Sequence, residues 1–119
     1  MAEEGPLILA LVRDLMFSGR IMAEARAAGA NVRVIRDPKQ IENLGDTPAN
    51  LMIVDLNLPG AVEAAGEWQK AAGRRVVGFV SHVDAETISR ARSVGLEQVL
   101  ARSRFVQILP ELLTTTKAS

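Results

Sequence analysis

The stretch LMIVDLNLPG, residues 51–60, poses the chemical question: an apolar run halts at a single carboxylate, Asp55, and Asn, Leu, Pro and Gly follow at once. A carboxylate there is either a reaction centre or a turn-forming or helix-capping group. The remaining reactive residues narrow the chemistry. The chain has no cysteine and one histidine, which excludes disulfides, thiolate metal sites and the usual zinc ligand sets. No glycine-rich dinucleotide or P-loop pattern follows any apolar run, so a nucleotide binder is disfavoured. Serine hydrolysis fares no better, because there is no Gly-x-Ser-x-Gly elbow and His82 adjoins Ser81 instead of facing it across a cleft. His82 reads as an ordinary loop histidine.

At 119 residues and 48% hydrophobic content, the chain can bury a core without staples, and one domain spanning 1–119 is expected. Its 14 basic and 14 acidic residues cancel, leaving no net field to draw it onto nucleic acid or an anionic membrane. The start, MAEEGPLILALVRD, carries acidic residues and about six apolar residues in a row, which reads as neither a signal peptide nor a membrane span. A cytoplasmic address is the expectation.

The elements that position Asp55 follow from two alternating periodicities. Short apolar runs at Leu7–Val12, Val32–Ile35, Leu51–Leu56, Val76–Val80 and Val99–Ala101 have the length of strands buried on both faces. Between them, Leu15–Ala28, Pro38–Leu44, Val62–Ala72, Ala85–Val94 and Phe105–Leu113 read as helices. Gly29, Gly45, Gly73 and Gly95 fall just past helix ends, and Asp37 and Asp84 stand where N-caps belong. Pro110 predicts a kink or a late start in the last helix. Five βα units force right-handed parallel crossovers and helices on both faces of the sheet. The ligand crevice of such a sheet lies at the carboxyl ends of its strands, where Asp55 stands.

A five-unit βα chain with VDLNLPG after its third strand, FVS closing the fourth and ISRARSVGLEQVLARSRF leading through the fifth resembles a receiver domain of bacterial response regulators. The resemblance spans nearly the whole chain. It implies a flavodoxin-like (βα)5 three-layer sandwich with a parallel sheet in the order 2-1-3-4-5. It also implies that Asp55 holds the position that accepts a phosphoryl group from a histidine kinase. Such domains carry an acidic pair after the first strand for Mg²⁺, a Ser or Thr after the fourth and a Lys after the fifth.

Carried over by residue, Asp55 with its LPG turn and Ser81 match this pattern. The acidic pair falls on Val12 and Arg13 or, with a one-residue slip, on Arg13 and Asp14, so at least one carboxylate is missing. Arg102 takes the lysine position and Ser103 the proline after it, and Val99 replaces the strand-five aromatic that reports activation in the family.

Mg²⁺ requires oxygen ligands in an octahedron, and a guanidinium cannot supply one. Arg13 in place of a carboxylate removes one negative charge and adds a permanent positive one, which repels the metal. Phosphoryl transfer then loses an electrostatic contribution of typically several kcal/mol. An arginine can grip phosphate in a forked way, but the favoured expectation is a lock, with Arg13 or Arg102 ion-paired to Asp55.

The resemblance, with these departures from it, implies a non-enzymatic, receiver-like or pseudo-receiver module that needs no cofactor and works on a protein partner, a histidine kinase or a downstream signalling protein. The alternative is a working phospho-receiver in which Asp14, with Glu63 or Asp84, holds Mg²⁺. Arg90, Arg92, Arg102 and Arg104 fall close together in sequence, on the side that receivers use to dock a partner or to form a homodimer, and Arg74 with Arg75 precedes the fourth strand. Trp68 reads as a core filler, and GAVEAAG predicts a short or irregular helix.

Overall fold

The computed structural model describes residues 7–44, 47–71, 73–81 and 84–118. Strands β1 (Leu7–Leu11), β2 (Asn31–Ile35), β3 (Ala49–Asp55), β4 (Arg75–Val80) and β5 (Gln98–Ala101) form one sheet in the order β2-β1-β3-β4-β5. Every pairing is parallel. The helices are α1 (Leu15–Ala28), α2 (Ala61–Trp68), α3 (Ala85–Ser93) and α4 (Arg102–Ala118), with a 3₁₀ helix over Pro38–Leu44. This is the expected flavodoxin-like sandwich. Its strand order reverses between β1 and β3, so the crevice opens between the ends of those two strands.

Period-two alternation divides the strands between two cores. Ile8, Ala10, Val12, Leu51, Ile53, Val77 and Phe79 face α1 and α4, where Phe17, Ile21, Phe105 and Leu109 meet them. Leu9, Leu11, Met52, Val54, Val76 and Val80 face the other way, toward Ile41, Val62, Ala65, Trp68 and Ala91. Trp68 is 5% exposed and fills that second core, as its sequence context suggests. Both cores are apolar because a parallel sheet covered on two sides gives its strands no wet face.

Helix boundaries follow their caps. Gly29 ends α1 at φ 73°, a left-handed conformation that costs glycine least, and its N–H reaches the Ala25 and Arg26 carbonyls. Asp84 caps α3, accepting from the Glu86 and Thr87 amides. Asp37 Oδ1 accepts the Lys39 amide at 3.0 Å and opens the 3₁₀ helix. Gly73 and Gly95 also adopt positive φ, whereas Gly45 lies outside the described residues.

Three expectations need correction. Residues 38–44 wind as a 3₁₀ helix, because seven residues starting at a proline are too few to reward α-helical hydrogen bonding. Helix α2 stops at Trp68 instead of Ala72. There Arg74 Nη1 donates to the Trp68 carbonyl at 3.0 Å and satisfies one of the last helical acceptors. Helix α4 starts at Arg102, earlier than the expected Phe105, and runs through Pro110. The proline costs about 3 kcal/mol, but fully burying Phe105, Leu109, Leu112 and Leu113 contributes about 1.5–3 kcal/mol each and outweighs it.

Candidate functional site

Register sets which side chains meet at the carboxyl edge of the sheet. Leu7 pairs with Ala49 but Ile8 with Leu51, so β3 carries one extra residue at Asn50. Beyond this bulge Leu11 pairs with Val54, and one step further Asp55 comes level with Val12 instead of Arg13. Asp55 pairs with Phe79, and Phe79 with Leu100. Since Ile53, Phe79 and Val12 all face α1 and α4, the pleat directs the half-buried Asp55 to that same side. The alternation carries Ser81 and Arg102 to this side as well.

Asp14 stands where α1 begins. Its Oδ1 accepts the Phe17 amide at 3.0 Å, which makes it the N-cap of that helix. Its Oδ2 is 3.7 Å from Arg102 Nη2 in a half-exposed ion pair. The Phe17 amide foremost, then the Met16 amide and the Arg102 charge, hold the Asp14 carboxyl below the usual aspartate value of 3.8, against a smaller opposing push from desolvation. The Arg102 guanidinium also lies 4.0 Å from the centroid of the Phe17 ring. Phe17 in turn packs on Phe79 and Phe105 at centroid distances of 5.0 and 5.9 Å.

Arg13 turns toward β2. Its Nε donates to the Arg36 carbonyl at 3.3 Å, and Arg36 Nη1 donates to the Arg13 carbonyl at 3.5 Å. On the other flank, Asp55 Oδ1 accepts the Asn57 amide at 3.0 Å, and Asn57 Oδ1 accepts the Ser81 amide at 2.7 Å. Asn57 therefore ties the loop after β3 to the end of β4. Sequence reasoning passed over it, because the Asx-type turn at this point is signalled by Asp55 itself, and no local pattern marks the tie from Asn57 to Ser81.

The expected lock takes another form. Among the described residues neither Arg13 nor Arg102 is ion-paired with Asp55: Arg102 pairs with Asp14, and Arg13 makes no ion pair. The physical reason is the pleat, which sends Arg13 away from Asp55, together with the ring of Phe17, which holds Arg102 over α1. Asp14, Asp55, Ser81 and Arg102 stand at the carboxyl edge of the sheet, while Arg13 turns toward β2. His82 lies outside the described residues.

The resemblance implies Mg²⁺ at this rim, and the residues present do not fit it. Arg13 occupies one acidic position, and Asp14 spends one oxygen on a helix N-terminus and the other on Arg102. Glu63 pairs with Arg90 at 3.2 Å, and Asp84 accepts from Thr87 Oγ1 at 2.6 Å. Among the described residues no three acidic or imidazole side chains form a group able to hold a metal ion.

No family model and no curated protein matches the chain in sequence. Solved structures do match in shape. The signal receiver domain of a modulated diguanylate cyclase from Desulfovibrio desulfuricans G20 superposes with a TM-score of 0.76 at 20% identity, over 97% of this chain and 98% of that one. A response regulator from Thermotoga maritima gives 0.75 at 13% identity over 97% and 99%. An orphan response regulator of H. pylori gives 0.74 at 15% identity over 98% of each chain. Likeness of this kind, end to end and at low identity, establishes architecture alone: the chain has the flavodoxin-like fold that these solved structures share.

Proposed function

We propose that the chain is a receiver-like signalling module that acts through protein contact and whose Mg²⁺-dependent phosphoryl-transfer site is degenerate. The observation that carries this reading is the occupation of Asp14. The one carboxylate after β1 is engaged by α1 and Arg102, and its neighbour is the cation Arg13. An incoming divalent ion would have to displace a guanidinium and uncap a helix while meeting a second positive charge. The module performs no catalysis of its own and requires no cofactor.

A protein partner is supported by the rim itself. Leu15 and Met16, at the mouth of the crevice, are 66% and 87% exposed. Large apolar side chains standing beside a polar crevice form a natural contact surface. The partner is a histidine kinase or a downstream signalling protein in the cytoplasm, and the arginine-bearing side of α3, β5 and α4 is the candidate for pairing two copies. No described helix is long and apolar enough to cross a membrane.

The test is treatment of the intact chain with a small-molecule phosphodonor, with and without Mg²⁺, followed by mass measurement. No adduct on Asp55 is expected under either condition. An Mg²⁺-dependent adduct overturns the reading in favour of a working phospho-receiver. Arg13→Asp serves as a charge control, since it replaces the cation beside Asp14 with an anion and removes its repulsion of Mg²⁺, and any labelling should rise with it.

A further inference from the structure

A surface helix normally turns charged side chains to water, and α1 does not. The side away from its buried Phe17, Ile21 and Ala25 carries Leu15 and Met16, 66% and 87% exposed, followed by the exposed Gly19, Ala23 and Ala27. Among the described residues no other large apolar side chain stands exposed. Gly19 has no explanation within its own fold. Its φ is not positive, a Cβ added there would meet no neighbour within 4 Å, and glycine is among the poorest formers of a helix interior. Glycine in such a place admits the close approach of another backbone.

We infer that this face pairs with the same face of a second copy of the chain, α1 against α1 in antiparallel order. Size and charge both select that occupant. The large side chains stand in the N-terminal half of the face and the small ones in the C-terminal half. An antiparallel two-fold contact therefore seats Met16 on Ala27 of the second copy, while Gly19 and Ala23 let the helix axes approach to about 8 Å. A parallel contact would set Met16 on Met16 and Arg20 on Arg20. Among the described residues neither Arg20 nor Glu24 makes an ion pair. The two lie one turn apart along one edge of the face. A two-fold axis level with Met22 brings Arg20 opposite Glu24 of the second copy and Glu24 opposite its Arg20, so the four charges cancel in pairs. Arg26 lies along the other edge, in the last turn, where it offsets the partial negative charge of its own helix end. At the N-terminal end, Asp14 and Arg102 are already paired with each other. The contact uses none of the residues on the arginine-bearing side of α3, β5 and α4.

The inference rests on the reading of Leu15 and Met16 as a contact surface and names what they touch. It holds whether or not Asp55 ever carries a phosphoryl group, so the phosphodonor test of the crevice stands or falls separately. One helix pair is a contact at the low end of specific interfaces, and the dimer forms at high concentration. Sedimentation equilibrium of the full chain, at low salt and up to about 1 mM, is expected to show monomer and dimer in exchange. Met16→Glu should weaken pairing about tenfold or more by placing a charge within the contact. Gly19→Leu, a better helix former that meets nothing in its own chain, should raise the melting temperature yet weaken pairing about tenfold or more. A role confined to the fold would not move the two readouts in opposite directions. Arg20→Glu and Glu24→Arg should each pair poorly alone, whereas an equimolar mixture of the two should form a mixed dimer, because every reversed charge then meets an opposite one. A chain that stays monomeric to about 1 mM overturns the inference. So does a dimer indifferent to Met16→Glu and Gly19→Leu, or a mixture that pairs no better than its components. A dimer broken by Arg92→Glu instead would also overturn it, assigning self-association to the arginine-bearing side.

Discussion

The Arg102 guanidinium stands 4.0 Å from the centroid of the Phe17 ring, so the first residue of α4 is held over the first turns of α1. The contact joins two helices on one face of the sheet at the edge where Asp55 and Ser81 lie. A stacked cation of this exposure contributes about 0.5–1 kcal/mol. Arg102→Gln is therefore expected to destabilise the fold by about that amount, and a double-mutant cycle with Phe17→Leu should return a coupling of the same sign. Additive losses in denaturant titrations would show that the stack contributes nothing.

The two capping aspartates predict a shape for acid unfolding. Asp14 and Asp84 both titrate below the usual 3.8 in the folded chain, Asp14 chiefly through the Phe17 amide and Asp84 chiefly through the Thr87 hydroxyl. A lowered folded-state pKa means that the unfolded chain binds the proton more readily. The stabilisation is then complete above about 3.8 and drains away as pH falls through the lowered values. Asparagine caps a helix nearly as well without titrating. The melting temperatures of Asp14→Asn and Asp84→Asn, followed from about pH 5 down to about pH 2, should fall less steeply than the parent's. Parallel curves would remove the caps from the account.

Gly66 tests packing against propensity. Alanine in its place gains about 1 kcal/mol of helix propensity, yet its Cβ would stand 2.8 Å from Val94 Cγ2 and 2.9 Å from Val94 Cβ. Overpacking of that kind costs about 1–3 kcal/mol, and Val94 Cβ cannot swing aside because it is fixed to the backbone. Gly66→Ala should lose about 1 kcal/mol net, and Val94→Ala in the same chain should recover part of it. A more stable Gly66→Ala would mean that α2 and α3 separate freely.

Asn57→Ala removes the acceptor of the Ser81 amide. A loss of about 1 kcal/mol is expected, together with faster hydrogen exchange at Ser81, read by amide NMR. Unchanged protection there would show that the amide finds its order elsewhere.

The architecture could be read from the chain because its strands are apolar on both faces and its glycines and aspartates mark several helix ends. Leu15–Ala28 matches α1 residue for residue. The site was harder, for identifiable reasons. Asp14 directly precedes that helix and carries a cap signal as plain as those of Asp37 and Asp84, but its position after the first strand drew the metal reading instead. The pairing of Asp14 with Arg102 joins opposite ends of the chain, and no local pattern encodes it. The extra residue at Asn50, which brings Asp55 level with Val12, leaves no mark in composition or periodicity. Seven residues at 38–44 are too few to separate a period of 3.0 from one of 3.6.

Strand β5 ends at Ala101 and α4 begins at Arg102, with no connecting residue between them. A linker would act as slack, absorbing a small displacement before the helix felt it. Here the residue that bears the rim cation is itself the first of the rod, so a partner that shifts its backbone tilts or unwinds the end of α4 in the same movement.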